Sequence, residues 1–252
     1  MFSESHCHLR NLTDDALEQV VKQSEKAGVE LILVAGTDID SSEQAVLTAR
    51  KYRILKACVG IHPWNADLYN EEAVHRLKEL ARNAEVVAIS EIGLDYVGRR
   101  DREGKYMDEY VDKRIQRAAF RNQLRAAKEL RLPVLVHDRT PDQEVLDILE
   151  EEGSAKVGAA IHGFSKDLAY AKMCMKMGIY LSIGLRPVSA PENEAMREAI
   201  RQIPLEWLLT ETDSGSPDDV VTVVEKIAEL KGLKRDDVGR VATRNLKKLL
   251  RL

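Results

Sequence analysis

DDALEQVVKQSEKAGVELILVAG, residues 14–36, is the stretch whose reading decides the fold. Its first half repeats apolar residues at helical spacing, with Leu17, Val20 and Val21 on one side, and stops at Gly28, a helix-ending residue. Glu30–Ala35 is then a short, apolar, largely branched run closed by Gly36, the pattern of a strand buried on both faces. The same helix-then-strand unit recurs in both directions. Strands are predicted at Phe2–His6, Glu30–Ala35, Lys56–Ile61 and Val86–Glu91, then at Pro133–His137, Val157–His162, Ile179–Ile183 and Glu206–Glu211. Helices are predicted at Asp14–Ala27, from a cap at Asp40 or Ser41 to Tyr52, and at Glu71–Arg82, Asp112–Leu130 and Pro141–Glu152. Further helices are expected at Asp167–Met177, Glu192–Gln202, Val220–Leu230 and Asp236–Leu250. Regular alternation implies parallel strands joined by crossover helices, and eight such units in 252 residues is the size of an α/β (β/α)8 TIM barrel. The competing open, doubly wound sheet lacks its Gly-rich phosphate turn after the first strand. No linker interrupts the middle of the chain, so residues 1–252 are expected to form a single domain.

Composition narrows the partners. A hydrophobic share of 44% supports a large core, and 32% charged residues cover it. The net charge of -4 does not advertise a nucleic-acid or membrane surface, although bound metal ions can supply positive charge locally. Cys7, Cys58 and Cys174 are too scattered for a disulfide framework, and runs such as Leu31–Ala35 are too short to span a bilayer. With no signal peptide pattern at the N-terminus, a soluble cytoplasmic protein without membrane partners is expected. The oligomeric state is left open.

The polar residues that end the strands carry the chemistry. In Ser5-His6-Cys7-His8 alternate side chains share a face, so His6 and His8 point together. His62, Glu91, His137 and His162 end later strands, and Asp213 follows the last. The C-terminal ends of barrel strands converge on one mouth. Of the chain's 6 histidines, only His75 falls in mid-helix. Clustered imidazoles and carboxylates are costly to desolvate unless something pairs with them, and a divalent cation does so. Imidazole and carboxylate donors without thiolate suit zinc, manganese or similar ions. The donors exceed what one catalytic ion takes, so two metals with Glu91 as the shared carboxylate are expected, and with them hydrolysis.

Several segments, in order, carry a likeness: Ser5-His6-Cys7-His8-Leu9, Gly60-Ile61-His62-Pro63, Glu91-Ile92-Gly93-Leu94-Asp95-Tyr96 and Phe120-Arg121-Asn122-Gln123-Leu124. They continue with Leu132–Arg139, His162-Gly163-Phe164-Ser165, Gly178–Ser182, Ile203–Glu206 and Glu211-Thr212-Asp213-Ser214. The chain resembles the TatD family of metal-dependent hydrolases, within the amidohydrolase-like barrels. The resemblance implies phosphodiester hydrolysis of the deoxyribonuclease or 3′–5′ exonuclease type, with two divalent ions (zinc, manganese or magnesium). His6, His8, Glu91 and Asp213 would hold one metal, and Glu91, His137 and His162 the other. Asp213 and Glu91 would be catalytic, Asp213 also accepting a proton. His62 and Arg139 would contact the phosphate of DNA or a small phosphoester. Read from the residues alone, His62 could instead orient Glu91, and Arg139 could form a surface ion pair.

This chain departs from the family pattern at Glu4, Ser90 and Gly163, where Asp, Gly and Cys are usual. After Asp213 it lacks a basic loop, running Ser214-Gly215-Ser216-Pro217-Asp218-Asp219 straight into the next helix. The shortened loop and acidic charge leave a metal-dependent amidase, lactonase or carboxyl-ester hydrolase, or a non-catalytic metal-binding barrel, as alternatives. The long connection Tyr96–Asp112, with Arg99, Arg100, Arg102 and Lys105, is expected to be either a basic lid or a solvated loop.

Overall fold

A computed structural model describes residues 1–98, 110–189 and 194–252. The first half of the chain contains β1 (Phe2–Cys7), α1 (Asp14–Lys26), β2 (Val29–Ala35), α2 (Ile39–Ala49), β3 (Leu55–Val59), α3 (Glu71–Leu80) and β4 (Val86–Asp95). Then come α4 (Lys113–Leu130), β5 (Val134–Arg139), α5 (Glu144–Glu151), β6 (Ala159–His162), α6 (Leu168–Lys176) and β7 (Ile179–Ile183). The remainder comprises α7 (Leu185–Ser189), α8 (Glu194–Gln202), β8 (Leu208–Thr210), α9 (Val220–Lys231) and α10 (Arg235–Leu250). The eight strands form one sheet in chain order, and each neighbouring pair is parallel. This is the expected (β/α)8 barrel.

The apolar strand runs are buried on both faces, as the unbroken pattern of β2 implies. Leu31, Leu33 and Ala35 of β2 join Leu135, Ala160 and Leu209 in one buried cluster, while Ile32 and Val34 join the helices in another. Leu246, Leu249 and Leu250 of α10 belong to the first cluster, so the last helix packs its apolar end against the inward-facing strand residues. Between β8 and β1 the seam is made by hydrogen bonds from Asp213 N to His6 O (3.0 Å), His8 N to Ser214 O (2.9 Å) and Thr210 Oγ1 to Ser3 O (2.9 Å).

Some boundaries differ from expectation. Helix α2 is capped by Asp38 rather than Asp40 or Ser41: its carboxylate accepts from Ser41 N (2.8 Å), and Ser41 Oγ accepts in return from Asp38 N (3.0 Å). Ser41 is thus the reciprocal partner of the cap. Helix α5 starts at Glu144, not Pro141, because Asp142 turns back to accept from Glu144 N (3.1 Å). Strand β4 runs on to Asp95, where Gln116 of α4 bonds both the N–H (2.8 Å) and the C=O (2.9 Å) of Asp95. One helical heptad later, Gln123 does the same for Ile61 (2.8 and 2.9 Å). Buried backbone groups past the ladder need such partners. Of the connection expected to be a lid or a solvated loop, Arg99, Arg100, Arg102 and Lys105 lie outside the described residues, as do positions 192 and 193 at the expected start of α8. Among the described residues, no helix is long and apolar enough to cross a membrane.

Candidate metal centre

The strand ends deliver their donors to one place. Glu91, on β4, sits at the centre, and its two oxygens face different groups. Oε2 lies 3.4 Å from His6 Nε2 and 3.8 Å from His8 Nε2. Oε1 lies 2.7 Å from His137 Nδ1, 3.0 Å from His162 Nε2 and 3.3 Å from His62 Nε2. Asp213 joins from beyond β8, with Oδ1 at 3.3 Å from His8 Nε2 and 3.9 Å from His6 Nε2. Its φ of 51° lies in the left-handed region, which non-glycine residues adopt mostly at functional sites. Three sets of donors lie close enough together to share an ion: His6, His8 and Glu91; His6, His162 and Asp213; and His62, Glu91 and His137. All six expected metal ligands are therefore brought together, and His62 is drawn into the same cluster.

The chemistry of the donors fits divalent cations. His6 Nε2 is buried and makes no hydrogen bond, an orphaned lone pair or proton of the kind a metal would occupy. Burial alone would raise the Glu91 carboxyl, but the surrounding imidazoles of His62, His162 and His137 outweigh it and hold Glu91 well below the usual range. Burial likewise opposes ionisation of Asp213, yet the ring of His8 and the charges of His162 and His6 keep it low. Both carboxylates are thus anionic and ready to bind cations. Burial pushes His62 down to about 4, so it is neutral near pH 7. Its Nδ1 accepts from Trp64 N (3.0 Å), which leaves Nε2 as the N–H facing Glu91.

Sequence reasoning passed over the residues that aim the histidines. His162 Nδ1 meets Glu211 Oε1 at 3.1 Å, and Gly163 N donates to the same oxygen (2.6 Å). His137 Nε2 meets Asp95 Oδ2 at 3.0 Å, and His8 Nδ1 meets the carbonyl of Ala35 at 3.1 Å. Each ring is held by one nitrogen while the other faces the centre, the arrangement that fixes tautomer and orientation in metal sites. For Asp95 the signal was available as spacing, four residues beyond Glu91 on one strand and so on the same face; Glu211 lies beyond the end of β8, where no strand period places it. Glu4, a departure from the family pattern, accepts from His6 N (2.8 Å) and Thr212 N (3.1 Å), bracing the seam beneath the ligands.

An open cleft of about 690 Å³ leads to the centre, lined by Arg10, Thr37, His62, Trp64, Asn65 and Asp213 among others. Arg10 was not anticipated; its Nη2 donates to Thr37 Oγ1 (2.7 Å). Arg139 stands at the end of β5 and donates from Nη1 to the carbonyls of Asp138 and Gly163, both at 3.0 Å. No carboxylate pairs with it among the described residues.

The profile of the TatD-related DNases matches residues 4–251. The chain is 35% identical, over the whole length of both, to the metal-dependent hydrolase YabD of Bacillus subtilis strain 168. It is 34% identical to the 3'-5' ssDNA/RNA exonuclease TatD of Cronobacter sakazakii, over 80% of this chain and 73% of that one. Among solved structures, the TatD homologue YjjV of Escherichia coli K12 superposes with a TM-score of 0.87 at 26% identity, covering 100% of this chain and 98% of that one.

Proposed function

The chain belongs to the family of TatD-related DNases, and from that premise we propose that it hydrolyses phosphodiester bonds with two divalent cations, as a 3′–5′ exonuclease or related deoxyribonuclease. The observation that carries this reading is the division of Glu91, whose two oxygens face separate sets of histidines. A carboxylate so placed suits two cations side by side. His6, His8, Glu91 and Asp213 would hold one, and Glu91, His137 and His162 the other. The ions, zinc, manganese or magnesium, supply Lewis-acid charge to the phosphoryl oxygens when bound.

The remaining work belongs to the chain. The Asp213 side chain is 48% exposed, so it faces the cleft as well as the histidines. Anionic at neutral pH, it accepts the proton of the attacking water as the new P–O bond forms and the bond to the leaving oxygen breaks. His62, neutral with its N–H toward Glu91, keeps that carboxylate in place. Arg139 offers its guanidinium to a phosphate oxygen, and Arg10 adds positive charge at the rim of the cleft. The substrate is DNA or a small phosphoester, and residues 1–252 act as a single domain. The three buried, free cysteines fit a reducing, cytoplasmic setting.

The test is metal content together with turnover of single-stranded DNA and bis-p-nitrophenyl phosphate. Wild type is expected to cleave with added divalent ions and stop with chelator, whereas Glu91→Ala loses bound metal and at least about 10³-fold in rate. Absence of turnover on every phosphoester with magnesium, manganese and zinc would sink the proposal.

A further inference from the structure

Gly163 stands where two parts of the centre meet. Its N–H donates to Glu211 Oε1 (2.6 Å), the carboxylate that holds His162. Its carbonyl accepts from Arg139 Nη1 (3.0 Å), and its φ is 55°. A Cβ placed here would stand 2.7 Å from Arg139 Nη2 and 3.6 Å from Cζ. Those are contacts with the tip of a flexible side chain, so the guanidinium, rather than the barrel, would give way. As it is, Nη1 is tied to two carbonyls and the side of the fork bearing Nη2 lies over the bare glycine. Within the described residues Nη2 has no acceptor and no acidic partner. An immobilised arginine with a spare edge is preorganised for an anionic oxygen, because little conformational entropy is left to lose on binding.

We infer that Gly163 is a positioning residue: by lacking a side chain it lets Arg139 lie across the loop after β6, fixed for the phosphate of the substrate. This rests on the phosphate-binding role proposed for Arg139. Gly163 itself touches no substrate and acts through Arg139.

A double-mutant cycle separates the inference from the proposed reaction. The metal-loaded wild type, Gly163→Ala, Arg139→Ala and the double variant are compared by the dissociation constant of inorganic phosphate and by KM and kcat on bis-p-nitrophenyl phosphate. Gly232→Ala serves as control for backbone strain, since Gly232 has φ 64° and nothing within 4 Å of an added Cβ. Gly163→Ala is expected to weaken phosphate binding and raise KM about tenfold, the order of one lost charge-assisted hydrogen bond, with metal content and kcat held. Arg139→Ala should do the same, the double variant no worse, and Gly232→Ala nothing. Should Gly163→Ala alone fail to fold, the double variant is expected to fold, because the clash is gone. The inference is overturned if Gly163→Ala leaves binding at the wild-type value, if its effect persists undiminished without the arginine, if Arg139→Ala has no effect, or if the double variant also fails to fold. A phosphate-binding cycle that holds in a protein that turns over no phosphoester would leave the inference standing and remove the reaction.

Discussion

Asp95 and Glu211 show how much of the centre depends on residues that need touch no ion. Each takes the far nitrogen of a histidine, Asp95 from His137 and Glu211 from His162, at 3.0 and 3.1 Å. Glu211→Gln keeps the size of the side chain but loses the charge that favours the Nδ1–H tautomer of His162, and Asp95→Asn loses the charge that favours the Nε2–H tautomer of His137. Each is expected to weaken divalent-cation affinity by about 10- to 100-fold while the fold is retained, as calorimetric titration of the metal-free protein and far-ultraviolet circular dichroism will show. Unchanged affinity in both would mean that the barrel alone orients the rings. Glu91 differs in kind, because its two oxygens face both sets of histidines at once.

Helices carry the strand ends. α4 contributes Gln116 and Gln123 to the backbone of Asp95 and Ile61, and its other face is pinned by charge. Arg125 Nη2 lies 2.7 Å from Glu152 Oε1, with Arg121 and Lys128 at 3.4 Å from the same carboxylate. The guanidinium of Arg125, ahead of the opposing effect of partial burial, holds Glu152 below its ordinary value. A carboxylate depressed in the folded state adds stability above its unfolded pKa and loses it as the pH falls through its folded one. Glu152→Gln is therefore expected to lower stability near pH 7 by no more than about 1 kcal/mol, since solvent screens the half-exposed arginine. Urea melts of variant and wild type should converge as the pH is taken from the ordinary glutamate value of about 4.3 down through the depressed folded one. A difference that stayed constant with pH would assign the effect to packing instead.

Across the whole molecule the decisive joint is where the first strand meets the last helix. Gly239 of α10 lies against Phe2, and a Cβ there would stand 2.4 Å from the ring and 2.9 Å from the Met1 carbonyl. Alanine is the better helix former by about 1 kcal/mol, yet overpacking a fixed aromatic costs about 1–3 kcal/mol. Gly239→Ala should therefore destabilise by up to about 2 kcal/mol in thermal or denaturant melts. A stabilised variant would show that the joint can relax. Nothing in the spacing of Arg235–Leu250 reveals this contact, which spans nearly the length of the chain. The barrel itself was legible, because apolar runs buried on both faces repeat with helical stretches between them and leave parallel strands as the consistent solution. His6, His8, His137 and His162 were legible for the same reason: once strand ends converge, so do their side chains. Glu91 between two sets of donors was also expected, from the surplus of imidazoles. The far-nitrogen partners Asp95 and Glu211 and the room that Gly163 leaves for Arg139 came only from the tertiary structure. Periodicity along a chain fixes which face a side chain takes. Distances of about 3 Å between residues from different strands depend on sheet register and on where the β8–β1 seam falls, which no local pattern encodes.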